Sequence, residues 1–450
     1  MRQLVATQLR RNVLAGPLSS GMNIVLTLLS YPLYLRYLGY EQFGVWLLLS
    51  TIVAFIQLTN LGLGPALTSL VAEAKGRGDT AAVEGYSSSA GTVLLLVGLL
   101  AASVAWIASN PVLALARLQG EPLRIATRLF PWAGLLSVTA LLAQASTGVL
   151  AGLGRIDVSN YLDSCSRLVA LAVSLVLLRS GWKVEALISG AIVAQLLLVS
   201  GAQLATSQLC GMRSFCVVGV KTQWLAQLWL RASGLTLGSA VGLLIHPFNR
   251  FAMARWSGIE SVPVYEIAYS GAMQIRSVFE AGGRALVPAV SQARGAAGSA
   301  AVEQIERLQW RVTRLFLLAA GPIFLISAFG ADPFLRLLLR DGYQEGIASA
   351  FRIMLFGSFM SLMGVPSFYV AIGLGRSRIV AIGQSIIASV NVCAVIAWVR
   401  WSRGLSSNTV SAVVTLALAM STLYYIVATR QAIANMRRCE LPRIVVIPNA

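Results

Sequence analysis

Ala74-Lys75-Gly76, followed after four intervening residues by Ala81-Ala82-Val83-Glu84, recurs in this chain as Ala293-Arg294-Gly295 followed by Ala300-Ala301-Val302-Glu303. Both parts of the motif are displaced equally, from position 74 to 293 and from 81 to 300, and we call this displacement the first offset. A match at one fixed offset, with the same internal spacing, indicates an internal duplication. The sequence therefore predicts that the chain folds as two similar halves.

A second motif recurs at nearly the same offset. Gly152-Leu153-Gly154-Arg155 returns as Gly373-Leu374-Gly375-Arg376, and the displacement from position 152 to 373 is the second offset. Glycines at these places favour tight turns between helices, because glycine adopts a positive φ without strain. Together the motifs indicate a repeat of about 220 residues. In a membrane protein, duplicated halves usually form a substrate pathway, so a transporter is the leading interpretation.

The composition is that of a membrane protein. Hydrophobic residues make up 57% of the 450 residues and charged residues only 12%, and the mean hydropathy is +0.74. Mostly apolar stretches of about 20 residues recur along the chain, each long enough to cross the hydrocarbon core as a helix. The sequence therefore predicts an all-α polytopic membrane protein.

The apolar stretches predict about twelve transmembrane helices, six in each half. An even number per half gives both halves the same orientation, so the repeat is parallel. We expect two six-helix bundles around a central cavity. The predicted parts are an N-terminal bundle (1–206), a cytoplasmic linker (207–223), a C-terminal bundle (224–431) and a basic cytoplasmic tail (432–450).

The net charge of +18 is explained by membrane topology and indicates no nucleic-acid partner. Basic residues are modestly enriched on the side that carries both termini, and such enrichment marks the cytoplasmic side. The enrichment is clearest at the chain ends, in Arg2, Arg10, Arg11, Arg430, Arg437, Arg438 and Arg443. We therefore expect both termini in the cytoplasm.

The patterns of common enzymes and cofactor sites do not occur in the sequence. The lysines, Lys75, Lys183 and Lys221, do not follow the glycine spacing of a nucleotide-binding loop. The single histidine, His246, cannot form a zinc site alone. The five cysteines lack the spacing of metal ligands or redox pairs. We predict no enzymatic activity, no cofactor and no metal.

Three charged residues lie in a predicted membrane helix at 262–288. Arg276, Glu280 and Arg284 are spaced i, i+4 and i+8, which puts them on one helix face. A charge at the bilayer centre costs about 3 kcal/mol on insertion scales, so such residues usually face an interior path. Either Glu280 bridges and neutralises the arginines, or the surplus positive charge binds an anion while Glu280 tunes the site or takes a proton. We favour an anion site, since arginine suits phosphate.

Two further arginines are candidates for the same site. Arg231, near the start of the predicted seventh helix (225–248), could join Arg284 around a headgroup or extend to the interface. Arg352 lies in the outer third of the predicted tenth helix and is a candidate cavity residue.

Amide side chains also lie within the predicted spans. Gln57 and Asn60 are one turn apart in a predicted helix at 43–68, Asn23 lies in the first helix and Gln144 in the fourth. Amides at this depth often bond helices to each other. They could instead line a sugar path, because sugar hydroxyls need donors and acceptors. Both interpretations stay open.

The sequence around the first predicted turn is distinctive. It reads Leu38-Gly39-Tyr40-Glu41-Gln42-Phe43-Gly44, and the second helix ends in Leu61-Gly62-Leu63-Gly64. This pattern resembles the start of the polysaccharide-biosynthesis (lipid-linked O-antigen type) oligosaccharide flippases of the multidrug/oligosaccharidyl-lipid/polysaccharide exporter superfamily. The helix count and the duplicated halves extend the resemblance over nearly the whole chain. Cavity residues vary within this family, so the resemblance transfers no individual residue.

The resemblance implies a bacterial inner-membrane flippase with a V-shaped central cavity and alternating access. The implied substrate is an undecaprenyl-pyrophosphate-linked oligosaccharide for surface polysaccharide synthesis, such as exopolysaccharide or O-antigen. Membrane lipids, a polysaccharide polymerase and glycosyltransferases are the candidate partners. A cation-coupled multidrug exporter on the same fold, or a non-transporting scaffold of the polysaccharide machinery, stays open as an alternative.

Overall fold

The computed structural model describes residues 2–60, 62–210, 223–230, 242, 244–284, 286–295, 299–402 and 404–440. All regular secondary structure in this part of the chain is helical. The α-helices with defined bounds are α1 (Arg2–Gln57), α2 (Leu63–Gly76), α3 (Thr80–Ile107), α4 (Ser109–Leu115), α5 (Gly120–Gly152), α6 (Ile156–Arg179), α7 (Val184–Cys210), α8 (Ile245–Ser257), α9 (Ser261–Gly283), α10 (Leu286–Gly295), α11 (Ser299–Phe329), α12 (Ala331–Leu339), α13 (Ile347–Gly373), α14 (Ser377–Ser402) and α15 (Ser407–Glu440).

Within the described ranges, nine helical stretches are long and apolar enough to cross a membrane. The first, Ser19–Gln57, has 39 residues and covers parts of the first two predicted helices, because α1 bends at Gly39. Helix α9 has 23 residues and is not among the nine, since its polar side chains lower its hydropathy. Half of the predicted span 225–248 lies outside the described residues. The chain is thus an all-α polytopic membrane protein, as predicted.

Gly39 separates the two spans within α1. Its φ of 69° and ψ of 177° fall in a region that is essentially restricted to glycine. Replacing Gly39 with alanine should therefore destabilise the protein by on the order of 1–3 kcal/mol, although the added Cβ would meet no atom within 4 Å. The midpoint of thermal unfolding in detergent, at a fixed scan rate, measures the loss.

Gly21→Ala is the matched control for Gly39→Ala. Gly21 lies in the same helix with the same open space around an added Cβ, and its φ is not positive. Its midpoint should equal that of the wild type or exceed it, because alanine favours helix. Equal midpoints for the two variants would show that the bend does not depend on glycine.

The chain divides into two compact units. Unit 1 comprises Met1–Val264 and Leu338–Tyr343, and unit 2 comprises Tyr265–Leu337 and Gln344–Ala450. In unit 1, α5 packs against α2, α3 and α7. In unit 2, α13 packs in the same way against α10, α11 and α15. The predicted linker between the halves lies mostly outside the described residues, so that boundary stays a prediction.

The repeated motifs occupy the same places in both units. One motif ends α2 in unit 1 and α10 in unit 2, and the other joins α5 to α6 and α13 to α14. Gly154 and Gly375 have φ of 75° and 69°, as the predicted turns require. In each turn the amide of the following arginine donates to a carbonyl in the last turn of the preceding helix, at 2.9 Å.

The motif residues also form the core at these junctions. In unit 2, Ala293, Val302 and Leu374 belong to one buried cluster, together with residues of α13 and α15. Their counterparts in unit 1, at the same offsets, are buried as well. Lys75 connects the two motifs of unit 1, because its Nζ donates to the Leu153 carbonyl. The repeated motifs therefore stabilise the helix junctions in both halves.

Two predicted spans are broken, each just before the short helix that ends in the repeated motif. The prediction of one helix over 43–68 was wrong, because α1 ends before a short 3₁₀ turn and α2 follows. The prediction of one helix over 262–288 was also wrong, because α9 ends and α10 begins within it. Apolar residues continue on both sides of each break, so hydropathy alone does not reveal it. Gly62, with φ of 76°, marks the first break.

Candidate functional site

The break after α9 determines the geometry of the predicted cationic group. Arg276 and Glu280 lie one turn apart in α9. Arg284 lies just beyond the helix, in the turn that leads to α10. The spacing predicted that the three residues share one continuous helix, and this prediction was wrong. They still lie within one short segment of unit 2.

Arg276 is held by Glu280 through one of its nitrogens. Nη1 lies 3.3 Å from Glu280 Oε2, and the two side chains are 21% and 26% exposed. The same Nη1 is 4.0 Å from Met273 Sδ. Nε is buried and has no acceptor among the described residues. Leaving such a donor unpaired costs about 1–3 kcal/mol, so the guanidinium has unused capacity for a ligand oxygen.

Arg284 directly follows the residue that packs against Tyr369 of α13. A Cβ on that residue, Gly283, would lie 3.1 Å from Cδ2 of the Tyr369 ring. Tyr369 is 8% exposed. Arg276, Glu280 and Arg284 lie within one short segment of unit 2, and we call these three residues the cationic cluster. Tyr369 is not among the residues predicted from the sequence, because a tyrosine in an apolar span carries no local signal.

The cationic cluster has the chemistry of a phosphate site. Two guanidinium groups and one carboxylate leave one net positive charge. Each guanidinium offers several N–H donors in a planar fork, which matches the oxygens of phosphate in pairs. Pairing between Arg276 and Glu280 alone leaves Arg284 uncompensated. Glu280 therefore bridges to Arg276 only, and the interpretation in which it neutralises both arginines is present for one of them.

The amides of unit 1 bond to one another. Gln144 Nε2 donates to Gln57 Oε1 at 3.1 Å, and Asn60 Nδ2 donates to Gln144 Oε1 at 2.6 Å. Asn60 Oδ1 accepts from the amide of Gly64 at 3.2 Å. This network connects α1, the 3₁₀ turn, α2 and α5. It supports the helix-bonding interpretation of Gln57 and Asn60.

Asn23 lies apart from that network. Its Nδ2 donates to Asp163 Oδ2 at 3.2 Å, and Arg167 Nε lies 3.0 Å from the same oxygen. Asp163 and Arg167 thus form an i, i+4 ion pair within α6. It ties α6 to α1 through Asn23, whose Oδ1 is buried without a partner among the described residues.

The two remaining candidates do not join the cationic cluster in the described structure. Arg352 lies near the start of α13, is exposed, and donates through Nε to the Ala328 carbonyl at 3.0 Å. That carbonyl lies in the last turn of α11, where a cation is favourable for the helix dipole. Arg231 lies outside the described residues.

The sequence matches a family model described as "Polysaccharide biosynthesis protein" over residues 9–294. This range is more than half of the chain. No individual curated protein matches the sequence significantly.

Solved structures of membrane transporters share the fold. A multidrug resistance MATE family transporter of the MOP superfamily, in its inward-facing conformation, has a TM-score of 0.78 at 14% identity, with 92% of this chain and 96% of that chain covered. The lipid II flippase MurJ, in an inward closed conformation, has a TM-score of 0.71 at 12% identity, covering 96% and 90%. A MOP superfamily transporter from Pyrococcus furiosus, described by a reverse polarity of its binding pocket, has a TM-score of 0.61 at 16% identity, covering 95% and 96%. At these identities the similarity shows the fold alone.

Proposed function

Since the chain belongs to the polysaccharide biosynthesis protein family, we propose that it is a flippase for a lipid-linked oligosaccharide. The proposed substrate is an oligosaccharide on undecaprenyl pyrophosphate, moved by alternating access to the outer leaflet of a bacterial inner membrane for surface polysaccharide synthesis. Both termini would lie in the cytoplasm. A polysaccharide polymerase and glycosyltransferases are the proposed partners.

The observation that carries this proposal is the cationic cluster. A pyrophosphate linkage carries negative charge and several acceptor oxygens, and Arg276 and Arg284 supply the matching donors. The buried, unpaired Nε of Arg276 supports a ligand at this position. The family and the shared fold with a lipid II flippase support a lipid-linked substrate. We therefore assign the pyrophosphate to Arg276 and Arg284, with Glu280 setting the charge of the site.

The next assignment concerns the residues that would contact the sugar part of the substrate. Asn23, Gln57 and Asn60 were predicted as candidates for a polar path. Asn60 bonds through Nδ2 to Gln144 and through Oδ1 to the Gly64 amide, and Gln57 accepts from Gln144 through Oε1. We therefore propose that both residues stabilise unit 1, and that direct sugar contacts are limited to their groups outside this network.

The membrane potential favours the proposed direction of transport. Moving one elementary charge across 100 mV changes the free energy by about 2.3 kcal/mol. A negatively charged headgroup that leaves a cytoplasm with negative potential gains this amount per charge. Consumption of the product outside would add to the drive. The proposal needs no nucleotide hydrolysis.

A cation-coupled multidrug exporter is the second candidate, because a multidrug transporter shares the fold. A site for cationic drugs would need a surplus of carboxylates. The cationic cluster has two arginines and one glutamate. Its charge therefore favours an anionic substrate.

Reconstitution of the purified protein into liposomes tests the proposal. The probe is a fluorescent oligosaccharide on undecaprenyl pyrophosphate, and an impermeant quencher reports the fraction in the outer leaflet. We expect the wild-type protein to make the inner-leaflet probe accessible, and empty liposomes to leave it protected. The matched control probe carries the same sugar on a neutral polyprenyl ether and should move much more slowly.

Three outcomes would contradict the proposal. Equal rates for the charged and neutral probes would show that the anion site is not used. Export of a cationic dye without movement of either lipid would favour the drug exporter. The protein could be stably inserted and move neither lipid probe, although cells need it for surface glycan. That result would favour a scaffold.

A further inference from the structure

The first half of α11 exposes a tryptophan and two arginines. Arg311 and Arg314 are both exposed and lie three residues apart, so they share one helix face. The side chain of Trp310 beside them is 54% exposed. The Arg314 guanidinium lies over the Trp310 ring, with Cζ 5.1 Å from the ring centroid, and this cation–π contact orients it. We call Trp310, Arg311 and Arg314 the basic patch.

The same face of α11 becomes apolar directly after the basic patch. Leu315 and Leu318 are 59% and 73% exposed, and exposed apolar side chains continue to Phe329. The stretch Val302–Phe329 is one of the candidate membrane spans, and 17% of the residues in its apolar window are buried inside the protein. A change from arginine and tryptophan to leucine along an exposed face is typical of the boundary between lipid headgroups and hydrocarbon. The order of the side chains therefore predicts that the basic patch lies at the level of the headgroups.

The acidic residues of α11 are already paired. Glu303 Oε2 lies 2.6 Å from Arg307 Nη2, and Glu306 Oε2 lies 2.9 Å from Arg437 Nη2 of α15. Among the described residues, no carboxylate forms an ion pair with either arginine of the basic patch. The basic patch therefore keeps both of its positive charges for a ligand.

The other half of the chain lacks this patch. By the first offset, the basic patch corresponds to Gly91, Thr92 and Leu95 of α3. Helix α3 has the place in unit 1 that α11 has in unit 2, since α3 packs against α5 as α11 packs against α13. The three counterparts carry no charge and are buried or partly buried. The fold of a half therefore does not require the basic patch, which is particular to unit 2.

We propose that the basic patch binds the headgroup of an anionic phospholipid from the surrounding bilayer. Arg311 and Arg314 supply charge-assisted donors for the phosphate oxygens. The apolar face that follows contacts the acyl chains, which a soluble phosphate lacks. A zwitterionic phospholipid has the same phosphate but also an ammonium group that the arginines repel, so the site selects by net charge. The basic patch and the cationic cluster lie on different helices, and this inference does not depend on the proposed function.

Quenching of Trp310 fluorescence by brominated lipids tests this site. The full-length protein is reconstituted into bilayers that contain brominated phosphatidylglycerol or brominated phosphatidylcholine, and the difference between the wild type and Trp310→Phe isolates the Trp310 signal. We expect a preference for the anionic lipid on the order of 10-fold. Arg311→Gln should lower this preference about 5-fold, which corresponds to about 1 kcal/mol for one basic residue near an anionic membrane. Arg311→Gln combined with Arg314→Gln should abolish the preference.

Controls separate the lipid site from other causes. The double variant of Arg311→Lys and Arg314→Lys keeps the charge and should keep most of the preference, which excludes misfolding as the cause of a loss. Arg336→Gln removes another exposed arginine, beyond the far end of α11, and should leave the preference unchanged. Equal quenching of the wild type by both lipids, or an unchanged preference in the double glutamine variant, would overturn the proposal. Displacement of the anionic lipid by millimolar inorganic phosphate would overturn the choice of a lipid as the ligand.

Discussion

Replacing Arg276 with glutamate should abolish translocation of the lipid-linked oligosaccharide, and replacing it with lysine should leave partial function. The glutamate would lie one turn from Glu280 and change the summed charge of Arg276, Glu280 and Arg284 from +1 to −1. Such a site repels a pyrophosphate. Lysine keeps the charge but loses the planar fork. Loss of charge-assisted hydrogen bonds of about 1.5–3 kcal/mol would slow translocation on the order of 10- to 100-fold.

Two measurements check this prediction. The liposome assay gives the rate for the pyrophosphate-linked probe, and restoration of surface glycan in a strain that lacks the protein gives the effect in cells. Arg352→Gln is the matched control, because Arg352 lies in the same unit and bonds to the Ala328 carbonyl instead of the cationic cluster. It should retain nearly full function. If stably inserted Arg276→Ala protein restored surface glycan to the normal level, the assignment of the site would be lost.

The charged part of this site was predictable because charge in an apolar helix is conspicuous. Arg276, Glu280 and Arg284 stand out against their surroundings by composition alone. The break between Glu280 and Arg284 did not stand out, since α9 and α10 form one apolar stretch in the sequence. Both breaks precede the short helix that ends in the repeated motif, but by the first offset they lie about one turn apart. Aligning the two halves would therefore have located the second break only to within about one turn.

Tyr369 was not predictable from local sequence, for a different reason. It packs against Gly283 at the end of α9, and no spacing rule connects residues so far apart in the sequence. The amide network has the same property, because Gln57 and Asn60 lie one turn apart but meet through Gln144 of α5. The sequence shows which residues within a span are polar. It does not show which helix those residues face.

The duplication leads to a second prediction with a large effect. Gly152 and Gly373 occupy the same position of the repeated turn motif, at the ends of α5 and α13. A Cβ on Gly152 would lie 2.7 Å from the Thr68 carbonyl oxygen and 2.8 Å from Val71 Cβ. A Cβ on Gly373 would lie 2.8 Å from Val290 Cβ. Val290 corresponds to Val71 by the first offset, so the close contact itself is repeated.

Alanine at either glycine should therefore destabilise the protein by about 1–3 kcal/mol through overpacking. The two sites lie in different units and share no partner, so the double variant should lose about 2–6 kcal/mol, as the sum of the two. The thermal midpoint in detergent, compared at one scan rate, measures each loss. Gly148→Ala, one turn earlier in α5, has only contacts of 3.4 Å or more, and should not lower the midpoint.

The two single variants, Gly152→Ala and Gly373→Ala, report on the same helix contact in the two halves. Equal losses would mean that each half depends on the same helix contact for its stability, as expected if both descend from one folded unit. A loss at Gly152 without a loss at Gly373 would mean that unit 2 has relaxed this contact, for example where its helices accommodate the cationic cluster. A neutral double variant would contradict the packing at both junctions, and with it the structural meaning of the repeated motif.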